Sequence, residues 1–291
     1  MEFHPDAVQN SSENRTAPAS WTSGATAIWV LFSSWLTAGA LVLSAIGQLN
    51  RTGNTIVLAM GVAGSLYGYR RLNGSLWPLK GLRWRRFNKP FPLLYLICAG
   101  AALIGGAIHA PTNFDALSYR IPRILHWLSA ERWHWIGGTD PRMDFSATGF
   151  EYLMLSGLAV FQTLRLAFLI NAICYLLLPG LIFSVFSTLG VKRRIAATWM
   201  WILPCASCFV MEAGSIGNDF IATVYLLAAL LFALRAIRSG KRLDLILSII
   251  AAALMTGAKA SNLPLLLPIA ICLVALFRKR PNLIVTATLA G

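Results

Sequence analysis

The chain has 291 residues, of which 57% are hydrophobic and only 12% are charged, about half the share usual in a soluble domain. So few charges cannot cover the surface of a water-soluble globule of this size, and so much apolar side chain excludes intrinsic disorder. The net charge of +14 invites a nucleic-acid reading, which depends on where the cations sit.

Residues 1–24 form a polar, turn-rich tail with Pro5 and Pro18. It does not read as a signal peptide, because the apolar stretch that follows is long and no basic segment leads into it. Apolar runs follow at 25–48, 54–69, 91–110, 166–187, 195–216, 219–237, 243–258 and 263–277. About 20 apolar residues are needed to cross a bilayer, so the chain reads as all-α, a polytopic transmembrane helical bundle, with 54–69 short for a span. Residues 282–291 begin another apolar run, and a fragment or truncated product is expected.

Seventeen of the 25 cations fall in four short loops: 70–89, 192–194, 235–242 and 278–280. Cytoplasmic connections carry such an excess, so topology accounts for the charge and no nucleic-acid partner is expected. Seven of the 11 acids lie in 111–151 or beside the turn at 212–219, on the opposite side. Two helices before the first basic loop make the N-terminus cytoplasmic and the segment 111–151 extracytoplasmic. Between Glu151 and Lys192 only 166–187 is a convincing span, so 151–164 reads as a helix lying in or dipping into the outer leaflet.

The five cysteines all sit in apolar runs. Cys205 and Cys208 form a C-x-x-C, but Pro204 precedes them inside an apolar run and there is no second pair, so they read as packing residues. No His/Cys/Asp cluster has ligand spacing, and no metal site is expected from spacing alone.

The segment 111–135 carries the chemistry. Asp115, Tyr119, Arg123 and Trp127 recur every fourth residue on one helical face with His126 beside them, while Leu117, Ile121, Ile124, Leu125 and Leu128 line the other. Pro122 cannot continue an ideal helix and is expected to start a second helical piece. The pattern describes a broken amphipathic helix along the membrane surface, with Trp127, Trp133 and Trp135 at headgroup level. An interfacial brace would have the same amphipathicity. However, an acid, a phenol, two guanidiniums and an imidazole together exceed what a brace requires. The carboxylate can take a hydroxyl proton, and the guanidiniums of Arg120 and Arg123 can bind phosphate through planar donor forks.

The pattern D-x-x-x-Y-R-x-P-R-x-x-H-W at 115–127 resembles the first external loop of GT-C membrane glycosyltransferases, in particular the group of protein O-mannosyltransferases and lipid A aminoarabinose transferases. Pro141-Arg142…Glu151-Tyr152 resembles the later half of that loop. Gly217-Asn218-Asp219 resembles a later external turn whose acid approaches the first-loop aspartate, and Thr256-Gly257-Ala258-Lys259 a segment whose lysine lies near the donor phosphate. The resemblance covers about 91–280. It leaves the tail (1–24) and two additional helices with their basic loop (25–90) outside a GT-C-like core at 91–291. In place of the family's usual histidine after the tyrosine stands Arg120.

The resemblance implies transfer of a sugar from a polyprenyl-phosphate donor to a hydroxyl acceptor, on the extracytoplasmic side of a bacterial inner membrane. Asp115 is then the catalytic base. Arg123, Lys259, Arg120 and Arg142 bind the donor phosphate, and Tyr119, His126, Trp127, Glu151 and Asp219 line the substrate site. Some family members hold a divalent cation between acidic groups; here Asp115 with Asp219 would be the pair. Asp219 could equally cap a helix and Lys259 could snorkel without function. Glu212 reads as structural, satisfied by Ser215 and Asn218. A flippase or transporter of lipid-linked cargo, or a non-catalytic membrane subunit, are the competing readings.

Overall fold

A computed structural model describes residues 21–73 and 87–290. Most of the polar tail, and Lys80, Arg83, Arg85 and Arg86 of the first basic loop, lie outside them. The described residues are helical throughout, without strands. Five helical stretches are long and apolar enough to cross a membrane: Ser23–Ala45, Pro90–Ile108, Leu164–Thr188, Asp219–Ser239 and Ala260–Lys279. This is the architecture of an integral membrane protein.

The first helix, α1 (Trp21–Ala45), starts four residues before the expected run, so the polar tail ends earlier. It turns at Gly47, whose φ of 65° suits a residue without Cβ, into the antiparallel α2 (Arg51–Asn73). Leu43 faces Gly53, Val57 fills the space over Gly39, and Trp35 packs on Gly61 while donating from Nε1 to Val57 O at 2.8 Å. At 23 residues α2 is longer than its apolar run, but Thr52, Asn54, Thr55, its glycines and Tyr67 and Tyr69 leave it less apolar than the five stretches. It shares one hydrophobic core with the rest of the chain through Leu49 and Val57.

Next comes α3 (Pro90–Ile108). After the connecting segment, α4 (Ile121–Ser129) and the single turn α5 (Arg142–Phe145) lead to α6 (Gly149–Phe161) and α7 (Leu169–Thr188). Pro179 inside α7 has no N–H, which leaves the carbonyl of Tyr175 without its helical donor. The Tyr95 hydroxyl of α3 supplies one, donating to Tyr175 O at 2.9 Å, and the two rings stack. The Tyr175 hydroxyl in turn donates to Pro204 O at 2.9 Å. In a bilayer, where no water can fill in, two phenols thus satisfy carbonyls at two proline breaks.

The expected single span over 195–216 is broken. It consists of α8 (Arg193–Ile202), a 3-10 turn through Pro204, and α9 (Ser207–Ala213), bent by 63°. Pro204 removes a helical hydrogen bond at the bend, and Cys205 Sγ donates to Trp201 O at 3.1 Å. The remaining helices are α10 (Asp219–Ser239), α11 (Arg242–Ala258), α12 (Leu266–Lys279) and the short α13 (Ile284–Ala290). α10 and α11 are antiparallel neighbours, joined by Ser248 Oγ to Ala229 O at 2.8 Å and Arg235 to Asp244 at 3.3 Å.

The bundle therefore has two chemically distinct ends. Arg238 donates to Thr188 O, which brings the ends of α7 and α10 together at the basic end. At the other, carboxylate-rich end, Gly106 of α3 lies against Phe168 and Gly214, and Asn218 reaches Ala258 O at 2.7 Å. The segment 130–133 is tied there to the α1–α2 turn by Leu49 N to Glu131 O at 2.9 Å and Trp133 N to Ser44 Oγ at 2.7 Å.

The helix expected to lie in or dip into one leaflet is α6. Its 13 residues are too few to cross. It runs beside α4 and over α1, α2 and α11, and nearly all of it is buried. Gly149 brings its N-terminus onto the backbone of Gly257: a Cβ at 149 would stand 2.7 Å from that carbonyl group. Gly149→Ala is expected to destabilise the protein by about 1–3 kcal/mol through this clash. Gly157→Ala, which meets nothing within 4 Å in the same helix, is expected to stabilise it by about 0.5–1 kcal/mol. Thermal unfolding in detergent checks both; equal shifts of the same sign would refute the packing.

Candidate functional site

Pro122 starts a second helical piece after one turn, as expected, but without a gap in the chain's helical path. Ala116–Arg120 form a π turn that runs directly into α4, closed by Ile121 N bonding to Ala116 O, and Pro122 occupies the first turn of α4, where a missing N–H costs little. The wide turn has a consequence that α-helical spacing does not contain. It carries Arg120, five residues on, to the same side as Asp115 and Tyr119. Asp115 Oδ2 accepts from Tyr119 OH at 3.2 Å and lies 3.5 Å from Arg120 NH2.

Arg142 approaches the same carboxylate at 3.3 Å and is itself aimed by Asp140 at 2.8 Å. Hydrogen bonds from Arg142 hold the Asp140 carboxyl below its ordinary range. The Tyr119 ring lies within 6 Å of three guanidiniums, those of Arg120, Arg123 and Arg142. Burial pushes its hydroxyl upward, partly offset by Arg120.

Arg120 continues inward. It is buried, and it donates to Asn218 Oδ1 at 2.7 Å, while Asn218 Nδ2 donates to Ala258 O. This one guanidinium links the loop after α3 to the turn before α10 and, through Asn218, to the end of α11. Next to Asn218, Asp219 pairs with Lys259 at 2.5 Å. The carboxylate that caps α10 is not Asp219 but Glu212, whose Oε2 accepts from Phe220 N at 3.0 Å; Ser215 reaches only the Glu212 backbone carbonyl. The expected pairing of Glu212 with Ser215 and Asn218 is thereby corrected, and Asp219 is left facing outward.

Buried Asn171 of α7 holds the turn. Its Nδ2 lies at 3.1, 3.1 and 2.8 Å from the carbonyls of Glu212, Ser215 and Gly217. Neither Asn171 nor the role of Asn218 stood out in the sequence; an amide inside an apolar run was the available signal.

Other expected site residues turn inward. Arg123 is 0% exposed and faces Glu151, 1% exposed, at 3.5 Å. NH1 also donates to Ala147 O and NH2 to Arg142 O and Ser146 Oγ, so the buried guanidinium organises the loop and is closed to a phosphate. Glu151 is equally unreachable for a substrate. Trp127, expected at headgroup level, is 1% exposed and stacked on Tyr152 with Nε1 bonded to His134 O at 3.3 Å. The face Arg123–Trp127 is buried against α6, whereas Leu117 and Leu125 of the supposed inner face are exposed. His126 is exposed beside His134, and no contact joins it to Asp115. The cations that remain open are Arg142, 43% exposed, and Lys259, 41% exposed.

Among the described residues no group of three or more His, Cys, Asp or Glu is gathered to hold a metal ion. Asp115 and Asp219, the pair considered for a divalent cation, each face protein cations instead. Comparison of the chain with protein-family models, curated proteins and solved structures finds no match.

The arrangement presents two open carboxylate–cation pairs, Asp115–Arg142 and Asp219–Lys259, at one end of the bundle, with Arg123 and Glu151 as a buried brace. Removing one member of such a pair strands a buried charge, so Arg123→Met is expected to cost about 3–5 kcal/mol, most of it recovered in Arg123→Met with Glu151→Leu. Burial pushes the Glu151 carboxyl upward, against the pull of Arg123 and Arg120. With the folded value above the unfolded one, its contribution is full below about pH 4.3 and is lost as pH rises through the folded value. Melting curves between pH 4 and 8 are therefore expected to lose a falling component in Glu151→Gln. An unchanged profile would place the carboxyl in an ordinary environment.

Proposed function

We propose that the protein is a membrane glycosyltransferase that moves a sugar from a polyprenyl-phosphate donor to an acceptor hydroxyl at the carboxylate-rich end of the bundle. By the distribution of cations that end is extracytoplasmic. The reading starts from the sequence resemblance. The observation that carries it is the pair of open carboxylate–cation contacts, Asp115–Arg142 and Asp219–Lys259, bridged by Arg120 and Asn218. Acids and phosphate-binding cations on one membrane-facing surface are what this transfer requires.

In the proposed reaction the donor phosphate takes Arg142 and Lys259 from their carboxylates. Cations already in position stabilise the charge that grows on the leaving phosphate, commonly the largest catalytic contribution. Asp115, released from Arg142, accepts the proton of the acceptor hydroxyl. The hydroxyl oxygen forms a bond to the anomeric carbon as the bond from that carbon to the phosphate oxygen breaks. Polyprenyl phosphate leaves, and the anomeric configuration inverts. Tyr119 and Arg120 hold Asp115, Arg123 holds the loop that carries Arg142, and Asp219 orients Lys259 or the acceptor.

A flippase would expose a polar path at mid-membrane. The charged contacts described here gather instead at the two ends of the bundle, which favours surface chemistry.

The test is transfer from radiolabelled polyprenyl-phosphate hexoses and pentoses by membranes containing the full chain. Asp115→Asn is expected to lower turnover at least 100-fold. Lys259→Gln and Arg142→Gln are expected to lower it by about 10- to 100-fold each, with protein levels unchanged. Turnover at the wild-type rate in Asp115→Asn would remove that residue from the mechanism, and no transfer with any donor would favour a non-catalytic subunit.

A further inference from the structure

Away from the carboxylate cluster, a groove of about 430 Å³ runs between α4, α6 and the α1–α2 turn. Its volume falls in the range of small-molecule sites. From α4 it uses the row Ile121, Leu125 and Leu128, and from α6 Leu158 and Ala159; none of these takes part in the polar contacts around Asp115.

The break after α6 creates the opening. Gln162 turns with a φ of 51°, and Leu164–Leu166 form a 3-10 turn before α7 starts. A second, apolar slot of about 180 Å³ shares the lining residues Leu158 and Thr163 with the groove and lies between α1, α6 and α7 along Leu36, Phe32 and Trp29. Trp29 lies roughly 24 Å along α1 from Ala45, at 1.5 Å per residue. The two spaces together run from the carboxylate-rich end deep into the apolar part of the bundle.

Two exposed cations belong to the segments that frame the groove: Arg51 lines it, and Arg165 is the next residue after the lining residue Leu164. Neither has an acidic partner within 4 Å among the described residues, in contrast to Arg120, Arg123, Arg142 and Lys259 of the same end; exposed Arg132, likewise without an ion pair, does not line the groove. Arg51 also opens α2, where the helix dipole disfavours a cation and favours an anion.

We propose that this composite groove is a binding site for an anionic membrane lipid, separate from the donor site: one acyl chain lies in the slot and the phosphate sits between Arg51 and Arg165. An alkyl chain fits an apolar channel whose only counter-charge is wanted at its mouth. A soluble anion would use the mouth alone, and a neutral lipid would leave the cations unanswered. Such a lipid would lock α6, and with it Glu151 and Arg123, against the α1–α2 hairpin. The proposal does not rest on sugar transfer, and its test reads binding alone.

The full chain in detergent is titrated with didecanoyl phosphatidylglycerol, didecanoyl phosphatidylcholine and inorganic phosphate, and binding is followed by thermal shift and by native mass spectrometry. Phosphatidylglycerol is expected to be retained and to raise the melting temperature. Arg51→Gln and Arg165→Gln are each expected to weaken it about fivefold, with no change for phosphatidylcholine. Leu158→Trp fills the junction of the two spaces and is expected to abolish retention; Leu125→Trp, at an exposed lip, repeats this blockade if the first variant does not fold. Equal retention of the two lipids, the same shift from inorganic phosphate alone, or retention that survives a folded plug variant would each overturn the proposal. So would self-association that Leu125→Trp removes while no lipid is bound, which would give the groove to a second copy of the chain.

Discussion

The ion pair between Arg123 and Glu151 is the constraint around which the carboxylate-rich end is arranged. Both side chains are removed from solvent at the meeting of α4 and α6, and neither is well placed there alone. Arg123 also gathers the carbonyls of Arg142 and Ala147 and the hydroxyl of Ser146, so one buried cation sets the path of the loop that returns to α6. Arg142, on that loop, can then meet Asp115, 27 residues earlier in the chain. The open site is a consequence of a closed one beneath it.

Helix interruptions distribute the rest of the polar chemistry. Two departures from regular α-helix act at the carboxylate-rich end: the π turn at 116–120 brings Arg120 to Asp115, and the break after α6 borders the groove. Tyr95 and Tyr175 carry out the repair at the prolines, and Asn171 at the turn before Asn218. Backbone groups freed in an apolar environment need a partner from the protein itself, so buried tyrosines and amides accompany the breaks.

Seen along the membrane normal, the division of charge is a division of labour. At the basic end cations terminate helices, bond their carbonyls, as Arg238 does, or pair with the buried Asp244, as Arg235 does. The opposite end mixes acids and cations in contact, and Arg51, without an acidic partner, lines a groove there. The proposed donor chemistry and the proposed lipid site thus lie on two sides of α4 and share α6 as their floor.

Composition and the spacing of apolar runs were enough to determine an all-helical membrane chain and five of its span-length helices, but not that 195–216 is bent or that α11 falls short of a span, because crossing a bilayer demands length and apolarity that a stretch of sequence displays directly whereas a bend depends on its neighbours. Asp115, Tyr119, Arg142, Asp219 and Lys259 were legible as a group for a related reason: charged side chains next to spans have few structural uses. Which of the candidates face outward was not legible. A regular helix through 115–127 puts Arg123 and Trp127 beside Asp115 and leaves Arg120 elsewhere. The π turn adds Arg120 to the Asp115 side, and α6 buries Arg123 and Trp127. That exchange depends on a helix some 30 residues further along and on two glycines, 149 and 257, that let α6 and α11 touch. Periodicity reports only the neighbours on a residue's own helix. The contacts that separate a buried brace from an open site come from other parts of the chain, and only the tertiary structure brings them together.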